Sequence, residues 1–378
     1  MHARRRWRIA LALLWLTAVT PAGAEIVLAQ VAPFSGPLAR AGQEYHDGAM
    51  LYFRRVNESG GVHGERIRLT RRDDGYVPER TVALVNEALQ QDRPLALLGL
   101  VGTQNMRALL EARLIEREQV PVVGISSGAT MLRSPMHPLL FHLRASYRDE
   151  AARIARQFAV MGVKNLGVLY QDDALGADAL VGLESAAASL GLAIVAKAAY
   201  RRNTSEIDAA VQTLAQASPQ ALVLLSNTPA SIGFLKRYRT GERSATPVLA
   251  LSITDASALG PALGPERARG IGVAQVVPSP LGRTHGLVRD FEIDLARHAP
   301  KGTEASHSLL EGYVAARVLA EALRRTGPGA TRQRLIAALE SMHEFDLGGF
   351  VVRFTPTRRD GSRFVDLSVI GDGGRLLN

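Results

Sequence analysis

One serine in this 378-residue chain stands where a nucleophile could. Ser126 lies within Gly124-Ile125-Ser126-Ser127-Gly128, the G-x-S-x-G spacing that in hydrolases throws a serine out on a sharp strand-to-helix turn. The context argues against that chemistry. An elbow runs directly into a helix, whereas Pro135 keeps a long helix from following Ser126. Asp255 and His285 lie downstream as partners, but a chain of this length always offers some, and a serine hydrolase using Ser126 is the least favoured reading. Asp73 and Asp74 are adjacent after a strand, so they point in different directions and suit capping better than shared acid–base work. The nine histidines have no metal-ligand spacing, and His137 and His142 straddle Pro138. Gly60, Gly61 and Gly64 follow a helix rather than a first strand, which reads as a helix end and turn, not a dinucleotide fingerprint. With no cysteine in the chain, thiol catalysis, disulfides and lipid attachment at a cysteine are excluded. No catalytic residue, metal or cofactor is expected.

The chemistry left to the sequence is recognition, and it lies in two polar loops. Val101-Gly102-Thr103-Gln104-Asn105 separates a predicted buried strand, Leu95–Val101, from a helix marked by Met106, Leu109, Leu110 and Leu114. Gly102 permits close approach, and Thr103 with the helix-start amides can donate to an anionic group, or Thr103 can simply cap the helix. Gly124-Ile125-Ser126-Ser127-Gly128-Ala129-Thr130 follows the short strand Pro121–Val123 and supplies hydroxyls and amides at the same sheet edge. Its plain alternative is a Gly/Ser turn.

Alternating apolar periods place these loops. Ile26–Ala32 reads as strand, Tyr45–Asn57 as helix, Arg66–Arg71 as strand and Arg80–Gln91 as helix. The rhythm restarts after Tyr147, with helices 149–161, 177–190, 206–217 and 231–239 between strands 166–170, 193–198, 221–225 and 247–251. The fold class is therefore α/β, with two doubly wound parallel-sheet lobes. The aperiodic stretch Pro138–Tyr147 and the break near Pro278 and Pro280 predict several crossovers between them. The expected division is 25–144 plus 276–349 for the first lobe and 145–275 plus 350–378 for the second. Helices 287–298, 306–324 and 331–341 complete the first lobe, and Phe350–Phe354 with Phe364–Ile370 is predicted to form a closing hairpin around Asp360-Gly361.

Arg4, Arg5, Arg6 and Arg8 precede an apolar run from Ile9 to Val19 and then Ala22-Gly23-Ala24, which predicts a secretory signal peptide cleaved after Ala24. Of the 45 basic residues only Lys164, Lys197, Lys236 and Lys301 are lysine. They are interspersed with acids and lack interleaved aromatics, a solvated surface and not a nucleic-acid footprint. About 350 mature residues exceed what one core usually organises.

Ala32-Pro33-Phe34-Ser35-Gly36-Pro37 with Gly42, Val56–Gly64, Asp73-Asp74, Tyr170-Gln171-Asp172-Asp173-Ala174-Leu175-Gly176, and Leu310-Glu311-Gly312-Tyr313 follow one another along the chain. In that order and spacing the chain resembles the leucine/isoleucine/valine-binding-protein family of type I periplasmic solute-binding proteins. The resemblance implies a hinged Venus-flytrap without chemistry that holds a small molecule between its lobes and delivers it to the permease of an ABC importer, as a periplasmic monomer. A ligand-sensing module for a signalling partner is the alternative. By position it assigns the ligand carboxylate to Thr103, Ser127 and Gly128, with Gln104 and Ala129 as neighbours, and further contacts to Tyr147, Leu175, Asn227, Thr254 and Glu311. Aromatics that aliphatic-amino-acid binders place near Ala41, Leu175 and Asn227-Thr228 are absent, and only Asp255 stands near their ammonium-binding carboxylate. That set suits a small carboxylic acid or amide as well as an amino acid.

Overall fold

The computed structural model describes residues 25–377 apart from 205 and 283. The expected signal segment, 1–24, lies outside the described residues. The first sheet contains β1 (Glu25–Ala32), β2 (Arg66–Asp73), β3 (Ala96–Leu98), β4 (Val122–Val123) and β5 (Leu140–Phe141), in the order β2-β1-β3-β4-β5 and parallel throughout. Its inner strands β3 and β4 are short, wholly buried apolar runs, as strands covered on both faces must be. The linking helices are α1 (Ala39–Glu58), α2 (Pro78–Gln91), α3 (Thr103–Glu111) and α4 (Leu114–Glu118).

The second sheet takes β6 (Asn165–Asp172), β7 (Ala193–Arg201), β8 (Ala221–Leu225), β9 (Val248–Ala250) and β10 (Ile271–Gln275), joined by α5 (Tyr147–Val160), α6 (Ala174–Ser189), α7 (Asp208–Ala217), α8 (Thr228–Tyr238), α9 (Ala256–Leu263) and α10 (Pro265–Ala268). The chain then returns to the first lobe through α11 (Gly286–His298), α12 (His307–Thr326) and α13 (Arg332–Glu340) and the two-stranded β11 (Phe345–Asp346) and β12 (Val351–Val352). It ends on the second sheet with β13 (Asp366–Ile370), antiparallel to β10, and β14 (Leu376–Leu377). Three segments thus cross between lobes, after β5, β10 and β12. The first and third are knitted together, His142 N–H donating to the Arg359 carbonyl at 2.9 Å and Gly361 N–H to the His142 carbonyl at 2.8 Å.

Three expectations need correction. The predicted hairpin around Asp360-Gly361 does not form: β12 pairs with β11, because Gly348 and Gly349 take positive φ in a turn whose amides bond the Asp346 carboxylate at 2.9 and 2.7 Å. Phe350, Val352 and Phe354, placed by sequence in the second lobe, pack with α12 in the first-lobe core. The helix expected to run through Leu114 breaks at Arg113, which is left-handed at φ 54°, so that Leu114 and Ile115 turn inward from a separate helical turn.

The first lobe is held by a close crossing of α1 and α12. A Cβ on Gly48 would lie 1.8 Å from the Leu309 carbonyl oxygen, and one on Gly312 would lie 1.9 Å from that of Tyr45. Backbone cannot yield there as a side-chain tip can. Gly48→Ala or Gly312→Ala is therefore expected to destabilise by roughly 1–3 kcal/mol or more, read as a lower urea midpoint, and an unchanged midpoint would contradict the tight crossing.

Candidate functional site

The two polar loops meet at the carboxyl edge of the first sheet. Gly102 caps α3 with φ 103°, a conformation side chains disfavour, and a Cβ there would strike the Tyr76 ring at 2.6 Å. Thr103 does not cap α3 with its side chain. Its hydroxyl instead pairs with that of Ser127 at 2.8 Å, both wholly buried. The Ser127 hydroxyl also accepts from Ala129 N–H at 3.3 Å. A Cβ on Gly128 would meet the Tyr147 ring and its amide nitrogen, each at 2.6 Å, so glycine lets the first crossover lie against this loop.

Asp73 and Asp74 build the turn that launches an interlobe clasp. Asp73 accepts from the amides of Phe34, Ser35 and Gly75, and Asp74 accepts from Tyr76 N–H at 2.8 Å and the Thr81 hydroxyl at 2.7 Å. Burial pushes the Asp74 carboxyl up, whereas its neighbours' hydrogen bonds hold that of Asp73 down against its own burial. The turn fixes Tyr76 in the left-handed region, φ 65°, and sends its buried ring to the second lobe. There Gln171 donates to the Tyr76 hydroxyl at 3.3 Å, and Arg202 lies 3.8 Å over the ring centroid while donating to the Tyr76 carbonyl at 2.7 Å and Asn105 Oδ1 at 2.6 Å. Gln171 is itself fixed by Tyr200, which donates to it at 2.8 Å, and by the Asn227 amide at 3.1 Å. A second strap closes the other side, Arg40 reaching Asp255 at 3.1 Å and the Ser257 hydroxyl at 2.9 Å.

Between them lies a buried charge cluster at the hinge. Arg144, at the first crossover, donates to Ser126 Oγ of the first lobe at 3.0 Å and to Ser252 Oγ of the second. Glu311 of α12 sits 3.5 Å from its Nε, and Glu150 of α5 accepts from the Ser252 amide and hydroxyl at 2.8 and 3.0 Å. Burial raises both carboxyls above the ordinary range, with Arg144 opposing the rise. One cation faces two carboxylates, and the Arg144 Nε–H makes no hydrogen bond, meeting Glu311 only as an ion pair. Because a guanidinium cannot take a proton, Ser126 has a donor where a nucleophile needs a base.

Thr103, Ser127, Gly128, Ala129, Tyr147 and Glu311 therefore line or border one interlobe region, with Gln104 half-buried beside Thr103. Asn227 joins through Gln171, but its side-chain oxygen caps α8. Thr254 is occupied within its own lobe, donating to the Ser226 carbonyl at 2.9 Å, and Leu175 is a fully buried core side chain. Sequence reasoning missed Tyr76, Arg144 and Arg202. The turn at Asp73-Asp74-Gly75-Tyr76 was the one available signal for the first; nothing distinguished the two arginines.

A family model described as periplasmic binding protein matches residues 25–370. A substrate-binding periplasmic protein from Ralstonia solanacearum superposes with a TM-score of 0.88 at 37% identity, over 93% of this chain and 99% of that one. A Pseudomonas aeruginosa amino acid binding protein is 26% identical over 160 residues, 42% of each chain. A Brucella suis Leu/Ile/Val-binding protein homolog 7 is 26% identical over 240 residues, 60% of this chain and 58% of that one. The chain thus aligns with about half the length of these two curated relatives.

Proposed function

Because this chain belongs to the periplasmic binding protein family, we propose that it captures a small polar or carboxylate-bearing molecule, an amino acid, a derivative or a small organic acid, between its lobes and delivers it to the permease of an ABC importer. The observation that carries this reading is the convergence of Thr103, Ser127 and the α3 amino terminus on the interlobe region that Tyr76 and Arg202 clasp shut. Hydroxyls and helix-start amides suit a carboxylate. Direct contacts from both lobes give a closed form whose population a ligand can shift. On this reading the protein works as a monomer in the periplasm, without cofactor or turnover.

The test is a thermal-shift screen of residues 25–378 against amino acids, aliphatic and aromatic carboxylates and amides. One chemical class is expected to raise the melting temperature dose-dependently, and the paired change Thr103→Val with Ser127→Ala to weaken that response at least tenfold. Each lost charge-assisted hydrogen bond is worth about 1.5–3 kcal/mol. A response that survives the double change moves the ligand elsewhere, and no response from any class refutes the proposed ligand range.

A further inference from the structure

The structure carries a polar, half-open cavity of about 520 Å³ at the hinge, apart from the Thr103–Ser127 region. Its walls come from the Thr130–Ser134 turn of the first lobe and from the first and third crossovers. Four arginines line it, Arg133, Arg148, Arg358 and Arg363, against two carboxylates, Asp149 and Asp360. Both carboxylates are already engaged. Asp149 caps α5 through Ser146 and accepts from Arg363 at 2.6 Å, and Asp360 accepts from Arg133. Among the described residues Arg148 makes no ion pair, and the exposed Arg358 gives its Nε–H only to the Asp360 backbone carbonyl, at 2.9 Å. Two positive charges are therefore left over.

Arg133 is the unusual member. Its side chain is 6% exposed and its Nε–H has no partner. Burial lowers its basicity despite Asp360, the sign of a buried cation whose desolvation is not fully offset. Its other nitrogen donates to the carbonyls of Ser127 at 3.2 Å and Arg144 at 3.1 Å. The side chain thus connects the cavity both to the loop bearing Ser127 and to the first crossover.

We propose that this hinge cavity is a binding site for a small multivalent oxyanion of phosphate or polycarboxylate type, held by Arg148, Arg358 and Arg363 over Arg133. Planar guanidinium forks arranged around one volume match the oxygen pairs of such an ion. An ion there touches two of the three segments that bend when the lobes move, so it favours one hinge angle and is coupled to whatever the cleft binds. This site is separate from the cleft and goes beyond the proposed ligand capture.

The test titrates inorganic phosphate and, separately, citrate into the protein, with sodium chloride holding ionic strength constant. The expected result is a saturable rise in melting temperature with at least one of the two oxyanions and none when chloride alone is varied; which oxyanion saturates at lower concentration distinguishes the two sources. Arg148→Gln combined with Arg358→Gln, both exposed and outside the cleft, is expected to weaken the response roughly tenfold, the yield of two solvent-exposed charge contacts. Equal responses to chloride, no saturable response to either oxyanion, or a double variant that responds like the parent would overturn the assignment.

Discussion

Replacing Arg144 with methionine is expected to lower the stability of the closed protein by about 3–5 kcal/mol at pH 8, because it leaves the buried Glu150 and the largely covered Glu311, 12% exposed, with no cation between them. The loss should depend on pH in a fixed direction. Burial raises both carboxyls in the folded protein, so their contribution is most favourable when they are protonated, below the ordinary glutamate value of 4.5, and is lost as pH climbs through the raised folded values. Arg144 limits that rise. Without it the folded values climb further, and the deficit of Arg144→Met relative to the parent should be largest at pH 8 and shrink toward pH 5. Urea midpoints of both proteins at the two pH values check this, and adding Glu311→Gln to Arg144→Met should recover part of the deficit at pH 8. A small, pH-independent deficit would mean that the cluster is solvated rather than dry.

Arg202→Ala should act on closure more than on folding. It removes a stack over Tyr76 worth roughly 1–2 kcal/mol and two charge-assisted hydrogen bonds, all made between lobes. The low ends of those terms come to about 4 kcal/mol, so the ratio of closed to open protein should fall by roughly 1000-fold, while the unfolding midpoint of the first lobe changes little; in the second lobe the change also removes the 3.5 Å ion pair to Asp173. Because the chain contains no cysteine, Glu79→Cys in α2 and Gln212→Cys in α7, both exposed, can be spin-labelled without interference. The distance distribution between them should broaden and lengthen in Arg202→Ala. An unchanged distribution would assign the closed state to the Arg40–Asp255 strap and the buried charge cluster instead.

What the sequence revealed follows from where periodicity operates. The alternation of strands and helices was readable because each element repeats its apolar residues against a sheet, and the polar loops at Thr103 and Ser127 were readable because buried strands bracket them. Arg144 lies in a crossover with no repeat to betray its direction, and it is one arginine among many. Tyr76 owes its position to a left-handed backbone that Asp74 stabilises, and a turn signal announces a bend without saying which side chain the bend will launch. The misplaced closing hairpin has a related cause: Asp360-Gly361 is good turn chemistry, but Asp346 with Gly348-Gly349 is better, and tertiary contact with α12 decided between them.

The glycine-lined crossing of α1 and α12 also orders events in time. Tyr45 and Gly312, Gly48 and Leu309, touch across more than half the chain, so the first lobe cannot seal its core until the last third of the chain is in place. Strands β6 to β10 are consecutive in sequence and need only β13 and β14 to finish their sheet. The first lobe to be synthesised is then the one whose assembly must span the longest loop. Long-range contacts of that kind slow folding, leaving the amino-terminal segment unsealed until the carboxyl-terminal third docks on it.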